Sequence, residues 1–198
     1  MKYCLKLYSL LPWVAIRSFA LTVFALSLME LVMPGCKKED QGPPPHDGYI
    51  GEHYGGGIVF FVDDTRQHGL IAAEPDQGDF SWSFAGVVLT NATSTTDGAR
   101  NTQKIISAQG RYAYSTYAAL HCTYNYGGGF DDWFLPSKDQ LDMLYSQRSV
   151  VGGFADELYW SSTEYDLGEA WVQNFANGDQ FTHDKLDFHV NTRAIRAF

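Results

Sequence analysis

The sequence predicts an α+β domain in residues 48–198, with an antiparallel sheet, two to three helices and long loops. Two observations support this class. Short apolar runs of strand length lie at both ends of the domain, and an explicit helix start lies between them, in residues 127–144. The 198 residues also include 19 glycines, which indicates many turns rather than a helical bundle. Helices separated from strands along the chain are typical of an α+β fold.

A β-hairpin is predicted first, from residues 56–62 (GGIVFFV) and 68–74 (HGLIAAE) around a polar turn. The triplet Gly55-Gly56-Gly57 is not followed by the Lys-Ser/Thr of a nucleotide-binding loop, so we interpret it as backbone freedom at a strand entrance.

Two helices are predicted next. The first is capped by Asn101 or Thr102 and ends at Gly110. The second spans residues 112–122. The side chains expected on the inner faces are Ile105 and Ile106 in the first helix, and Ala113, Tyr117, Ala118 and Leu120 in the second.

The third helix has the clearest signal in the chain. Ser137 is placed as its N-cap, and Gln140 three residues later completes a capping box. Pro136 and Leu141 are placed for a hydrophobic staple, and Leu141, Leu144 and Tyr145 share one helical face.

Strands are predicted again after this helix. Residues 158–163 are expected to pair with residues 169–176, and Asn177-Gly178 predicts a hairpin into residues 179–183. Residues 188–196 are predicted to form the last strand.

The N-terminus has the features of a secretory signal in residues 1–35. Lys2, Lys6 and Arg17 precede an apolar run, and Gly35-Cys36 resembles the cleavage site of bacterial lipoproteins. We therefore expect Cys36 to carry the lipid; an uncleaved membrane anchor is the alternative.

Residues 36–47 then form the lipidated cysteine and a proline-rich tether. The run CKKED at residues 36–40 resembles a tag that exports lipoproteins to the outer face of the outer membrane. The predicted location is therefore the cell exterior, with the membrane as a partner through the lipid.

The charge argues against nucleic acid as a partner. Removing residues 1–35 takes away three basic residues and one acidic residue, so the formal charge changes from -9 to -11. Phosphate backbones require lysine and arginine.

Seven motifs in residues 49–198 together resemble one known family. They are YGGGIVFFV, HGLIAA, NTQKII, DDWFLPSKDQL, YWSSTEY, AWVQNF and RAIRAF. These motifs, in this order, resemble those of the Lcl-type domain, the C-terminal domain of collagen-like bacterial adhesins. The resemblance implies a C-type-lectin-like fold, related in architecture to formylglycine-generating enzymes.

No catalytic constellation is found. The related oxidase uses a cysteine pair, whereas Cys122 has no partner once Cys36 is lipidated, and we interpret it as a buried structural thiol. The six histidines lack metal-binding spacing; His183 and His189 flank a loop, but surface scatter is the favoured interpretation. Trp133, Trp160 and Trp171 are expected in the core.

Loop aromatics beside carboxylates are the candidate ligand-binding residues, because such groups stack on sugars and bond their hydroxyls. No metal ligands are assigned; calcium at these oxygen-rich loops is the alternative to solvated carboxylates. The candidates are Tyr124, Tyr126, Phe130, Asp131, Asp132, Glu164, Tyr165 and Asp166.

The sequence thus predicts a surface-anchored, non-catalytic binding or adhesion module for a glycan or an extracellular protein. A structural subunit of a surface assembly, and a formylglycine-generating-like enzyme, are the alternatives.

Overall fold

A computed structural model describes residues 48–84, 86–111 and 116–198, which form an α+β fold with two sheets and short helices. The predicted signal peptide, Cys36 and the tether lie outside the described residues, as do residues 112–115 with Ala113. The strands are β1 (His53–Tyr54), β2 (Gly57–Val62), β3 (Gly69–Ala72), β4 (Gly78–Asp79), β5 (Leu158–Glu164), β6 (Glu169–Asn174), β7 (Gln180–Asp184), β8 (Asn191–Thr192) and β9 (Ile195–Ala197). The helices are α1 (Gly98–Gln109), α2 (Ala118–Cys122), α3 (Lys138–Ser146) and α4 (Arg148–Val151), with a 3₁₀ turn at Gly127–Gly129. Within the described part of the chain, no helix has the length and apolarity to cross a bilayer.

The first sheet has the order β1-β2-β3-β9, and all its pairs are antiparallel. The predicted hairpin is confirmed as β2 and β3. Val59 and Phe60 are buried in different clusters, because successive side chains of a strand point to opposite faces of the sheet. The pairing of β2 with β3 also has a bulge-like register shift between Val59 and Phe61. Such bulges bend a strand locally.

The second sheet has the order β4-β8-β5-β6-β7, with β5 and β8 parallel and the other pairs antiparallel. The predicted pairing of β5 with β6 is confirmed, and so is the hairpin into β7. Strand β6 ends at Asn174, two residues earlier than expected. Gly178 adopts a φ of +90° in the loop between β6 and β7. A hydrogen bond of 2.9 Å from Asn174 N–H to the Asp179 carbonyl closes this loop.

The prediction of one last strand at residues 188–196 is wrong. The chain forms β8 in the second sheet and then β9 in the first. Arg193 lies between the two and is fully buried, donating to the carbonyls of Ala73 at 2.8 Å and Gly153 at 2.7 Å and to Asp76. The N–H groups of a buried guanidinium need hydrogen-bond acceptors. The segment that crosses between the two sheets places Arg193 beside such acceptors.

Helix α1 begins earlier than predicted, because Asp97 is its N-cap and accepts from Arg100 N–H at 2.9 Å. The two expected caps bond to neighbouring loops instead. Asn101 accepts from Ser94 N–H at 3.1 Å, and Thr102 accepts from Leu135 N–H at 3.0 Å. The predicted end at Gly110 is confirmed.

Helix α2 is shorter than predicted within the described residues. Tyr117 has an extended backbone and precedes the helix, and its hydroxyl donates to the Gly110 carbonyl at 2.7 Å. The helix therefore begins at Ala118.

The predicted capping box of α3 is confirmed. Ser137 accepts from Gln140 N–H, and Gln140 Oε1 accepts from Ser137 N–H at 3.0 Å. The same Gln140 oxygen accepts from Gly98 N–H at 3.1 Å, so the starts of α1 and α3 are fixed to each other.

The core contains two of the three tryptophans expected there. Trp133 and Trp160 are buried, whereas Trp171 is only half-buried. The Lys138 ammonium lies 3.8 Å from the Trp171 ring centroid, so a charged side chain covers this indole at the surface.

Candidate functional site

A cleft of about 790 Å³ separates one face of α1 from the segment that leads into Trp133. Three predicted site residues line it: Tyr126, Asp131 and Asp132. Gln103 and Ser107 of helix α1 contribute an amide and a hydroxyl, and Arg111, two residues beyond the helix, contributes a guanidinium. The cleft is therefore open, and its mixed polar and apolar wall includes three aromatic side chains, Tyr126, Trp133 and Phe134.

Asp132 is held by Arg196 of β9. The guanidinium makes a two-point contact with the carboxylate, with distances of 2.6 and 2.9 Å. The same guanidinium lies 3.7 Å from the Phe130 ring centroid, so Arg196 positions two predicted site residues at once. This fork geometry fixes the carboxylate and offsets its charge.

Asp131 differs from its neighbour. It is exposed and makes no hydrogen bond or ion pair with the described residues. A solvated carboxylate at the cleft wall offers its oxygens to hydroxyl donors of a ligand.

The tyrosines are both exposed, with exposed fractions of 47% for Tyr124 and 65% for Tyr126. Only Tyr126 lines the cleft. Tyr124 lies edge-on to His121, whose ring stacks on Phe80 with centroids 3.7 Å apart. Burial holds the pKa of His121 below its usual value, which favours the neutral ring.

A glycine contact sets the position of this segment. Gly56 has a φ of +88°, and a Cβ there would lie 2.2 Å from the backbone of Gly127. These two segments of the chain approach too closely for a side chain at Gly56, which agrees with the predicted need for backbone freedom at Gly55-Gly56-Gly57.

Trp133 is buried beside the cleft, and its Nε1–H has no hydrogen-bond partner among the described residues. A buried N–H without an acceptor is costly. An oxygen from a water or a ligand would satisfy it.

The second predicted group does not join the cleft lining. Glu164 is not a loop ligand, because its side chain is buried and paired with Lys185 at 2.7 Å. Asp166 bonds the N–H groups of Gly168 and Glu169 at 2.8 Å, which is a local turn contact. Tyr165 is exposed and lies edge-on to Trp171, with centroids 5.9 Å apart.

The arrangement does not favour calcium at Asp131-Asp132, since Arg196 takes both oxygens of Asp132. Across the described ranges, no group of three histidine, cysteine or acidic side chains is arranged to hold a metal ion.

His183 and His189 lie at the surface, with side chains 26% and 70% exposed, and they share one hydrogen-bond partner. Both rings contact one carboxylate, Asp187, at 2.8 and 3.2 Å. The loop between β7 and β8, residues 185–190, contains Asp187 and brings it to both rings.

Cys122 is buried, and this burial raises the pKa of its thiol. The thiolate is therefore disfavoured, which agrees with a structural thiol rather than a nucleophile.

Sequence reasoning missed Gln103, Ser107, Arg111 and Arg196. The sequence contains only a weak indication that Arg111 is a site residue, namely its position directly after the predicted helix end at Gly110. Arg196 had none, because it lies 64 residues from Asp132 in the chain.

No protein-family model matches the chain, and no curated protein sequence is significantly similar to it.

Proposed function

We propose that the chain is a lipid-anchored, non-catalytic binding module of C-type-lectin-like fold that binds a glycan in the α1 cleft. The observation that carries this proposal is the cleft itself. It joins an exposed tyrosine, a free carboxylate at Asp131 and a second carboxylate fixed by Arg196. Tyrosine faces stack on sugar rings, and fixed carboxylates accept from sugar hydroxyls.

The anchoring part of the proposal rests on the sequence at Cys36. Lipid on that cysteine and display outside the outer membrane predict incorporation of labelled fatty acid and removal of the domain from intact cells by added protease. Cys36→Ser abolishes both results. Protection of the domain on intact cells with normal lipidation contradicts the outward orientation.

Glycan binding is tested by probing a glycan array with the purified protein and three variants. Tyr126→Ala and Asp131→Asn change the cleft. Tyr165→Ala is the matched control, because Tyr165 is similarly exposed and does not line the cleft. Loss of the array signal in the first two variants alone supports the proposal. Absence of any signal, or equal loss in all three, contradicts it.

A structural subunit of a surface assembly is the second candidate. Strand β7 is an edge of its sheet, and Phe181, Leu186 and Phe188 nearby are exposed. Exposed apolar side chains beside a sheet edge are typical of contact surfaces. Concentration-dependent oligomers in sedimentation, lost in Phe181→Asp, favour this candidate.

A further inference from the structure

A cage of oxygen atoms surrounds the ammonium of Lys185. The side chain is fully buried, and Nζ lies 2.7 Å from Glu164 Oε1. The other oxygens are main-chain carbonyls, of Asp166 at 2.5 Å, Leu167 at 3.1 Å and Val88 at 3.4 Å. The Trp82 ring lies on another side, with its centroid 4.6 Å from Nζ.

The Glu164 carboxylate also serves a second loop. It accepts from Thr90 N–H at 2.8 Å and from Asn91 N–H at 2.6 Å. One ammonium and one carboxylate thus join three separate segments of the chain, around residues 88–91, 164–167 and 185.

A carboxylate together with main-chain carbonyls is the ligand set that calcium and other hard cations prefer. Here the positive charge belongs to the chain. We propose that Lys185 is a built-in cation that replaces a metal ion in this cage. The loop carrying Tyr165 and Asp166 therefore holds its shape without any metal. Removing the lysine side chain turns the cage into a binding site for a free cation.

The physical reason is the charge left behind. Without Lys185, Glu164 is a buried carboxylate with no counter-charge, and such a group must be protonated or paired. Four oxygen atoms lie within 3.4 Å of the position that Nζ vacates, so a small cation there, with water completing its shell, recovers part of the lost interactions. This inference does not depend on the glycan proposal, because it concerns how a loop is held rather than what the cleft binds.

The test is a thermal melt of the purified protein and its Lys185→Ala variant. Calcium chloride and ammonium chloride are each compared with tetramethylammonium chloride, a cation too large for the cage, at equal ionic strength. We expect the variant to gain roughly 4 °C or more in Tm with at least one of the two small cations. The wild-type Tm is expected to stay within about 1 °C under all three salts and with EDTA.

Two controls make the result specific. Lys138→Ala removes a lysine that covers Trp171 at the surface, so its melt reports the general effect of losing one positive charge. Glu164→Gln combined with Lys185→Met removes both charges, so the response to small cations disappears. If Lys185→Ala does not fold alone, the yield of its refolding with and without each cation is the measurement.

Two outcomes overturn the inference. One is a Tm of Lys185→Ala that neither small cation raises, or that rises no more than the Tm of Lys138→Ala. The other is a fall in the wild-type Tm with EDTA, because a loop held by its own lysine does not need a metal.

Discussion

Asp132 and Glu164 each pair with one basic side chain, yet the two pairs lie in opposite environments. The Asp132 side chain is 52% exposed, beside Arg196 at 5%. Glu164 and Lys185 are 1% and 0% exposed. The first pair leaves part of the Asp132 carboxylate exposed at the cleft, whereas both groups of the second pair are buried and hold loops together. Two acidic groups that look alike in sequence thus have different roles, and the position of the basic partner decides which.

The largest difference between the two pairs is expected in stability. Glu164→Ala leaves the Lys185 ammonium buried without its counter-charge, and we expect it to lower the free energy of unfolding by about 3–5 kcal/mol. Denaturant unfolding measures this. Glu169→Ala, a half-exposed glutamate in the same hairpin, is the control and is expected to change stability by less than about 0.5 kcal/mol. If Glu164→Ala lowers the free energy of unfolding no more than Glu169→Ala does, the buried pair does not have the structural role assigned to it.

Asp132→Ala is expected to cost about 1 kcal/mol or less, because solvent screens a half-exposed pair. Its larger effect falls on binding, because the carboxylate is lost and Arg196 is freed to move from the Phe130 ring. Denaturant unfolding and array binding, measured on the same variant, separate the two effects. A loss of stability as large as that of Glu164→Ala would show that both pairs are structural.

The sequence predicted what depends on residues close together in the chain. Ser137 and Gln140 are three residues apart and form their capping box as expected. The hairpins of β2 with β3 and of β6 with β7 also formed, because turn residues and apolar runs determine them locally. Predictions failed where a side chain had two uses: Asn101 and Thr102 are suitable caps, but loop backbone groups bind them instead.

The candidate site was predictable only in part, for the same reason. Tyr126, Asp131 and Asp132 lie within one short segment, so aromatic and acidic composition was enough to select them. The separation of Glu164 from this group depends on Lys185, 21 residues later, and the fixing of Asp132 depends on Arg196, 64 residues later. No local sequence pattern predicts contacts between residues so far apart in the chain.

A pair of intermediate exposure is expected to give an intermediate effect. Asp187 lies two residues after Lys185 and is one-third exposed. The backbone N–H of His189, and then the His183 ring, hold the pKa of Asp187 below its usual value. A lowered folded-state pKa means that the carboxylate stabilises the domain above about pH 4 and that this contribution is lost as the pH falls through the folded-state pKa.

We therefore expect Asp187→Asn to cost about 0.5 kcal/mol at pH 7 and less at pH 3. Unfolding at both pH values measures the difference. Asp156→Asn, at an exposed aspartate, supplies the baseline. A cost that stays constant from pH 7 to pH 3 would mean that the ionised carboxylate is not the source.

The smallest effect on stability is expected at Asp131, and it tests the comparison most directly. Asp131→Asn keeps the shape of an exposed side chain that has no partner among the described residues, so the free energy of unfolding should change by less than about 0.5 kcal/mol. Its negative charge and two acceptor oxygens are what a ligand in the cleft would use, so array binding should fall at least about tenfold, the size expected when a charged hydrogen bond is lost. We thus expect substitution of Asp131 to affect mainly binding, because this carboxylate is free to contact a ligand. We expect substitution of Glu164 to affect mainly stability, because this carboxylate is already paired with the Lys185 ammonium.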